Sequence, residues 1–344
     1  MDIFKIVQKV NSDDLNKDIS LDFKSKNLNL WEDIFNDLKY KSVFFSKDFI
    51  DYQFIYNKYF EKEVVDLSVI IFFKQKPIGL LPFFYLKNKN MISFFDKGIP
   101  SPSFTNEFEE KDEIIVLNKL IICFQKILKI ISQKELIFFQ HGPIDKSGIN
   151  NSKFNQSNKY IFKKNYDLYL NLKPNFENIK KNFRKSYVNI INKKLIDKIE
   201  IFDPKISNPK IWEDFKELHF KVAKKKTRND DSWKKQLDNL FKKKAIFFYC
   251  VEKNKLIGGS LFDITPDEAY YSVGVYNDTA KKKYASHYIQ NTAINYFKSK
   301  KISWYFLGKY FSKLENNISQ KEISIAFFKK GFSSDIVENN KFKI

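Results

Sequence analysis

The feature that most constrains the fold is an internal echo. The segment VIIFFKQKPIGLLPF in the first half of the chain is matched in the second half by FFYCVEKNKLIGGSLF. Gly79 lines up with Gly258, and the turn residues Lys76 and Lys255 coincide. Each copy reads as a strand, a tight turn and a second strand: an apolar run, a short polar break, and another apolar run. In both halves a helical pattern and then a strand ending in glycine follow, LIFFQHG and WYFLG. The same order at similar spacing is the mark of a duplicated unit. Helices packed between strands put each copy in the mixed α/β class, an α+β mixed sheet. A chain of 344 residues also exceeds what one core usually supports, so two domains are expected. The polar stretch at 145–158 is the boundary candidate, with domains 1–158 and 159–344.

Several elements follow from local pattern. SKDFIDYQFIYNKYF predicts a helix with Ser46 as its N-cap. VDLSVIIFF, IGLLPFFYL and MISFF read as strands, and GIPSPSF as a loop stiffened by Pro100 and Pro102. Further helices are expected over 111–131, 174–198, 211–224, 232–242 and 286–298. In the strand EAYYSVGVY, Tyr270 and Tyr271 should face opposite sides. A last helix, KEISIAFFKK, ends at Gly331, a residue suited to a left-handed cap.

Composition bounds the function. The chain is 43% hydrophobic and 17% aromatic, enough for sizeable cores. Its net charge of +20 would normally point to a polyanionic partner. However, only Arg184 and Arg228 among its 61 basic residues are arginine. Lysine lacks the planar fork used for bidentate phosphate and base contacts, so sequence-specific nucleic-acid recognition is not expected. Lysine abundance also reflects the bias of AT-rich coding. Cys123 and Cys250 lie in apolar runs and read as small buried hydrophobes. No secretory signal opens the chain, and no apolar run approaches about 18 residues, so a cytoplasmic protein with no integral membrane segment is expected. The histidines 141, 219 and 287 are scattered, and no metal is expected. There is no phosphate-binding Walker loop, nucleophile elbow or dinucleotide fingerprint.

The motifs FRKSYVNIINKK, ELHFKVAKKKTRNDDSWKKQ, LIGGSLF, AYYSVGVY, ASHYIQNTAINYFKSKKISWYFLG and IAFFKKGF occur in this order. In that order the chain resembles the FemAB-like family of the GNAT superfamily of N-acyltransferases. The resemblance covers 41–332 in outline and is specific mainly over 166–332. It implies two tandem GNAT-like domains, the first degenerate. It also implies transfer of an acyl group to an amine, from acyl-CoA as co-substrate or from aminoacyl-tRNA. The implied acceptors are amine-bearing surface glycans or peptidoglycan precursors, met in cell-envelope biogenesis. One departure is Lys224–Lys225, where relatives often carry glycine and arginine; the charge stays but the fork is lost. Acyl-CoA is favoured as donor, because no sustained heptad marks the coiled-coil arm common in tRNA-using relatives.

Acyl transfer needs a grip on donor phosphates, a path for the amine proton, and a group to steady the oxyanion. KKKYASHY opens a helix, so Lys282, Lys283 and Ser286 are donor-binding candidates beside its free N–H groups; an ordinary serine cap among solvated lysines is the alternative. Catalytic candidates are His287 as proton acceptor, Tyr271 as phenol donor, and Lys329. A histidine packed on the sheet, a packed tyrosine and a solvated lysine at a helix end stand as the alternatives. Arg184, Tyr187, Arg228 and Trp233 are substrate-binding candidates, the arginines because arginine is so rare here; structural ion pairs and core packing stand beside that reading. His219 reads as a core histidine. Two non-enzymatic readings also stand: a basic module binding anionic glycans, RNA or membrane surfaces, and a scaffold that has lost its chemistry.

Overall fold

In a computed structural model the echo resolves into two hairpins built alike. The described residues are 3–7, 18–95, 98–143, 161–311 and 318–344; the expected boundary at 145–158 lies outside them. The chain divides into two compact units, one of Met1–Asn165 with Glu338–Ile344 and one of Tyr166–Val337. The seven C-terminal residues thus group with the first unit, a return that the expected 158/159 division does not contain.

The first unit contains β1 (Ile19–Phe23), α1 (Leu28–Asp37), α2 (Lys47–Phe60), β2 (Val64–Asp66), β3 (Val69–Phe73), β4 (Lys76–Leu81), β5 (Phe84–Leu86), β6 (Met91–Ser93), β7 (Ile99–Pro100), β8 (Ser103–Phe104), α3 (Glu110–Ile130) and β9 (Ile137–Phe139). Ser46 caps α2 by accepting from the Phe49 N–H. The run IGLLPFFYL is split at Pro82 into β4 and β5, which join different sheets, ordered β1-β3-β4-β8 and β2-β5-β6. GIPSPSF is not a loop: it supplies β7 and β8, short edge pieces where proline is tolerated.

The second unit is formed by β10 (Ile161–Asn171), α4 (Phe176–Lys181), α5 (Lys185–Asn192), β11 (Glu200–Phe202), α6 (Lys210–Ala223), α7 (Asp230–Phe241), β12 (Ala245–Glu252), β13 (Lys255–Ile264), β14 (Glu268–Tyr276), α8 (Asp278–Lys282), α9 (Ala285–Ser299), β15 (Trp304–Tyr310) and α10 (Gln320–Lys330). Its strands run in the order β11-β12-β13-β14-β15-β10. Alternation along β12 sends Phe248 to one face and Phe247 to the other. Phe248 joins Ile289, Ala293 and Phe297 of α9; Phe247 joins Trp212, Phe215 and Trp233 of α6 and α7. Both faces of the sheet are therefore covered. A last strand, β16 (Asp335–Lys343), ends in the first unit, where Lys341–Lys343 pair with β9.

The duplication extends to backbone detail. Lys74–Gln75 and Lys253–Asn254 both have positive φ, the two-residue turn that matches strand twist. Two residues before each turn the register slips, between Ile71 and Phe72 and between Cys250 and Val251. Gly79 then sits opposite Ile71, and Gly258 opposite Cys250. Both glycines are demanded by space: an added Cβ would stand 2.6 Å from the Ser103 carbonyl oxygen at Gly79 and 2.5 Å from the Tyr276 ring at Gly258.

Three other expectations are corrected. The helix expected over 174–198 breaks into α4 and α5, because Arg184 takes an extended conformation and its N–H donates to the Gly331 carbonyl. Gly331 caps α10 at φ −68°, in right-handed geometry, not left-handed. Its glycine serves close approach: a Cβ there would lie 2.1 Å from the Tyr187 ring. The helix carrying Ser286 begins at Ala285, so Ser286 lies inside its first turn and the N-cap is Tyr284 at φ 55°.

Candidate functional site

The sheet of the second unit changes character at one point. β14 pairs with β15 in parallel only over Glu268–Tyr270 against Trp304–Phe306. Beyond it, β14 stays with β13 as far as Tyr276, and β15 pairs with β10. The two parallel strands thus share a ladder and then part, with α9 as the crossover between them. Ligands of open α/β sheets bind at the carboxyl ends of such strands. A bulge marks the parting: Leu168 faces Gly308 while Tyr169 faces Phe306, so Leu307 is the extra residue. Gly308 has φ +106°, a conformation that favours glycine.

Lys329 reaches this point from the last turn of α10. Its Nζ would lie 2.8 Å from a Cβ on Gly308, so the missing side chain makes its room. The same ammonium lies 5.2 Å from the centroid of the Tyr271 ring. Burial pushes its pKa down to about 8, while the Asp167 carboxylate on β10 pulls the other way. A lysine held there is a cation at neutral pH that can give up its proton at modest cost.

Beneath it lies a buried polar column. A second bulge, between Leu261 and Phe262, makes Ser272 the extra residue of β14. Tyr271 and Tyr276, five apart, would otherwise face opposite sides; the bulge brings both phenols to Ser260. Ser260 Oγ lies 2.6 Å from the Tyr276 hydroxyl and donates to that of Tyr271 at 3.4 Å. Gly274 leaves the space, since a Cβ there would meet the Tyr271 hydroxyl at 2.0 Å. Tyr305 donates to Gln290 Oε1 at 2.6 Å, and Gln290 Nε2 is buried with no hydrogen bond. Burial raises the pKa of Tyr271, Tyr276 and Tyr305, so all three remain proton donors. Tyr270 turns to the other face and stacks on Phe306.

Arg184 and Tyr187 meet as expected, but the guanidinium is occupied by protein. Nη1 donates to the Tyr187 hydroxyl at 2.9 Å and Nη2 to the Phe327 carbonyl at 3.0 Å. The guanidinium carbon lies 3.7 Å from the Phe327 ring centroid. The pair clamps α10, the helix that carries Lys329. His287 is buried in the same corner, edge-on to Tyr187 at 4.4 Å and to Phe328 at 5.0 Å. Burial drives its pKa down to about 4, with the Arg184 charge adding to the effect. It is therefore neutral at physiological pH and packs as an aromatic ring.

The donor-binding candidates are only partly available. Lys283 pairs with Glu252 at 2.7 Å and Lys281 with Asp278 at 2.9 Å. Lys282 is exposed and has no ion pair among the described residues. Ser286 Oγ lies 3.5 Å from His287 Nδ1.

Arg228 and Trp233 meet at a cavity of about 480 Å³ between the end of α6 and the start of α7. The Arg228 guanidinium lies over Trp233 at 4.6 Å, and Nη1 donates to Gln236 Oε1 at 3.0 Å. His219 packs edge-on to Trp233 at 5.3 Å, its pKa lowered to about 4 by burial and then by Arg228. Thr227 Oγ1 and Gln236 Nε2 are buried without a hydrogen-bond partner among the described residues. Among the described residues, no group of three or more His, Cys, Asp or Glu could hold a metal ion. Ser260, Tyr276, Gln290 and Asp167 escaped the sequence reading, and Gly308 entered it only as the glycine that ends WYFLG.

No family model and no curated sequence matches the chain. Solved structures do. The crystal structure of FemX aligns over 91% of this chain and 96% of its own, at TM-score 0.66 and 10% identity. A conserved protein of unknown function from Bacteroides thetaiotaomicron aligns over 86% of this chain and 89% of its own, at TM-score 0.53 and 12% identity. The internal pair of hairpins and the likeness to FemX along nearly its whole length give one conclusion: this chain has a mixed α/β fold like that of FemX, with one hairpin design repeated in its two units.

Proposed function

We propose that this protein is an N-acyltransferase that moves an acyl or aminoacyl group onto the amine of a cell-envelope glycan or peptidoglycan-type acceptor. The observation that carries this reading is Lys329, a half-buried lysine with a pKa near 8 at the point where β14 and β15 part. In the reaction the acceptor amine attacks the acyl carbonyl carbon, the bond to the donor sulfur or oxygen breaks, and the proton the amine gives up ends on the departing thiol or hydroxyl. The Lys329 ammonium steadies the developing oxyanion. The Tyr271 phenol, backed by Ser260, assists as a hydrogen-bond donor. Arg228 and Trp233 anchor an anionic, partly apolar portion of the acceptor in the cavity.

Acyl-CoA is the first donor to test, by thermal stability of the purified protein with acetyl-CoA, longer acyl-CoAs and CoA at moderately high salt. A ligand at 100 times its Kd stabilises the native state by about 2.7 kcal/mol. A salt-resistant shift supports the acyl-CoA reading; no shift removes it. A second reading, transfer from aminoacyl-tRNA, is favoured by one observation. The Lys283–Glu252 pair and the non-glycine turn before α9 leave a poor grip for a pyrophosphate. Charged tRNA is the ligand for the same measurement under that reading. Loss of both shifts, with no turnover from either donor, overturns the transferase assignment.

A further inference from the structure

The end of α6 exposes what a helix of this kind normally hides. Its buried face carries Trp212 and Phe215. Phe220 follows five residues on from Phe215, roughly 140° round the helix, and is 55% exposed. Residues 218–229 hold Lys221, Lys224, Lys225, Lys226 and Arg228 and no carboxylate. Lys221 pairs with Glu217 and Lys226 with Asp230, both outside that segment, at 3.4 Å and on exposed side chains, contacts that contribute little in water. Lys224 turns the chain in left-handed geometry at the helix end, so the lysine run wraps over the same tip as Phe220. Phe220, Lys221, Lys225 and Lys226 also line the cavity that holds Arg228 and Trp233.

An exposed aromatic ring set among lysines fits one partner best. Lysine stems lie along acyl chains while their ammonium groups meet phosphates, and an aromatic ring sits at the headgroup boundary. A nucleic-acid backbone would use the charge but leave Phe220 in water. We propose that the tip of α6, with the loop that follows it, docks on an anionic lipid bilayer. The docked tip turns the cavity mouth toward the lipid surface. An acceptor carried by that lipid then reaches Arg228 directly; this last step alone rests on the assignment of the cavity to the acceptor.

The test is cosedimentation of the full chain with vesicles, without donor or acceptor, so that a failure of docking and a failure of transfer are read separately. The protein is expected to sediment with equimolar phosphatidylcholine and phosphatidylglycerol, and not with phosphatidylcholine alone. Phe220→Ser should weaken partitioning about tenfold. Lys221→Gln with Lys224→Gln and Lys225→Gln should weaken it on the order of 100-fold. A second readout avoids dependence on these variants: Phe220→Cys carries an environment-sensitive dye, Cys123 and Cys250 being buried. Its emission should shift to the blue on the anionic vesicles. The proposal is overturned by absence of sedimentation, by equal binding to both vesicles, or by an unshifted dye. Sensitivity to the lysines without sensitivity to Phe220 also overturns it, in favour of a polyanion such as RNA.

Discussion

At the scale of the residue, Lys329 illustrates how three weak local facts make one reactive group. A lysine in the last turn of a helix is ordinary, since the helix dipole favours a cation there. Burial lowers its pKa to about 8, the Asp167 carboxylate limits the fall, and the Tyr271 ring face receives the ammonium. The direction of the pH effect follows. Below about 8 the group is a cation able to steady an oxyanion, and that contribution is lost as pH rises through 8. In the transferase reading, Lys329→Met should lower kcat by roughly 100- to 1000-fold, the range for loss of one oxyanion donor. It should also abolish the fall in kcat with an apparent pKa near 8. A pH–rate profile of both proteins decides the matter: an unchanged alkaline limb in the variant would assign that limb to another group.

At the scale of the element, the corner built by α5, α9 and α10 explains why arginine was retained at position 184. Its fork bonds Tyr187 and the Phe327 carbonyl at once, and its plane lies on the Phe327 ring. Lysine can make one of these contacts and not the set. Arg184→Lys should therefore loosen α10 by about 1–3 kcal/mol, seen as faster amide exchange confined to Gln320–Lys330 and the first turn of α5. Exchange unchanged in α10 would return Arg184 to the role of a ligand contact. The sequence singled out Arg184 and Tyr187 as binding candidates, and they are hydrogen-bonded to each other. It offered no view of Phe327, which lies far along the chain, so the clamp was illegible although its members were conspicuous. Gly331 shows the same gap: a glycine at a helix end has an obvious local explanation, yet here it yields space to the Tyr187 ring.

At the scale of the whole molecule, the return of the C-terminus into the first unit has a measurable consequence. Lys341–Lys343 form a ladder with Ile137–Phe139, and Leu136 and Ile344 exchange backbone hydrogen bonds. Ending the chain at Val337 leaves one edge of β9 unpaired. Unpaired apolar edges associate, so the shortened protein should melt earlier and aggregate on heating, with the loss of amide protection centred on Ile137–Phe139. Unaltered protection there would mean that β9 is held by β7 alone. No helix of the described residues is long and apolar enough to cross a membrane.

The sequence by itself determined the duplicated hairpins, because turn chemistry and a two-residue period are local properties. Positive φ at Lys74–Gln75 and at Lys253–Asn254, and the matched glycines 79 and 258, follow from residues only a few positions apart. The helices over most of their length were legible for the same reason. The tertiary structure alone decided the site. Two bulges re-aim Tyr271 and open Gly308, and neither leaves a periodic trace in composition. The low pKa of Lys329 depends on burial by residues from β10, β14 and β15, which no spacing along the chain relates to α10. Short-range pattern specifies elements, whereas a reactive group is made by which distant elements exclude water from it and which leave it room.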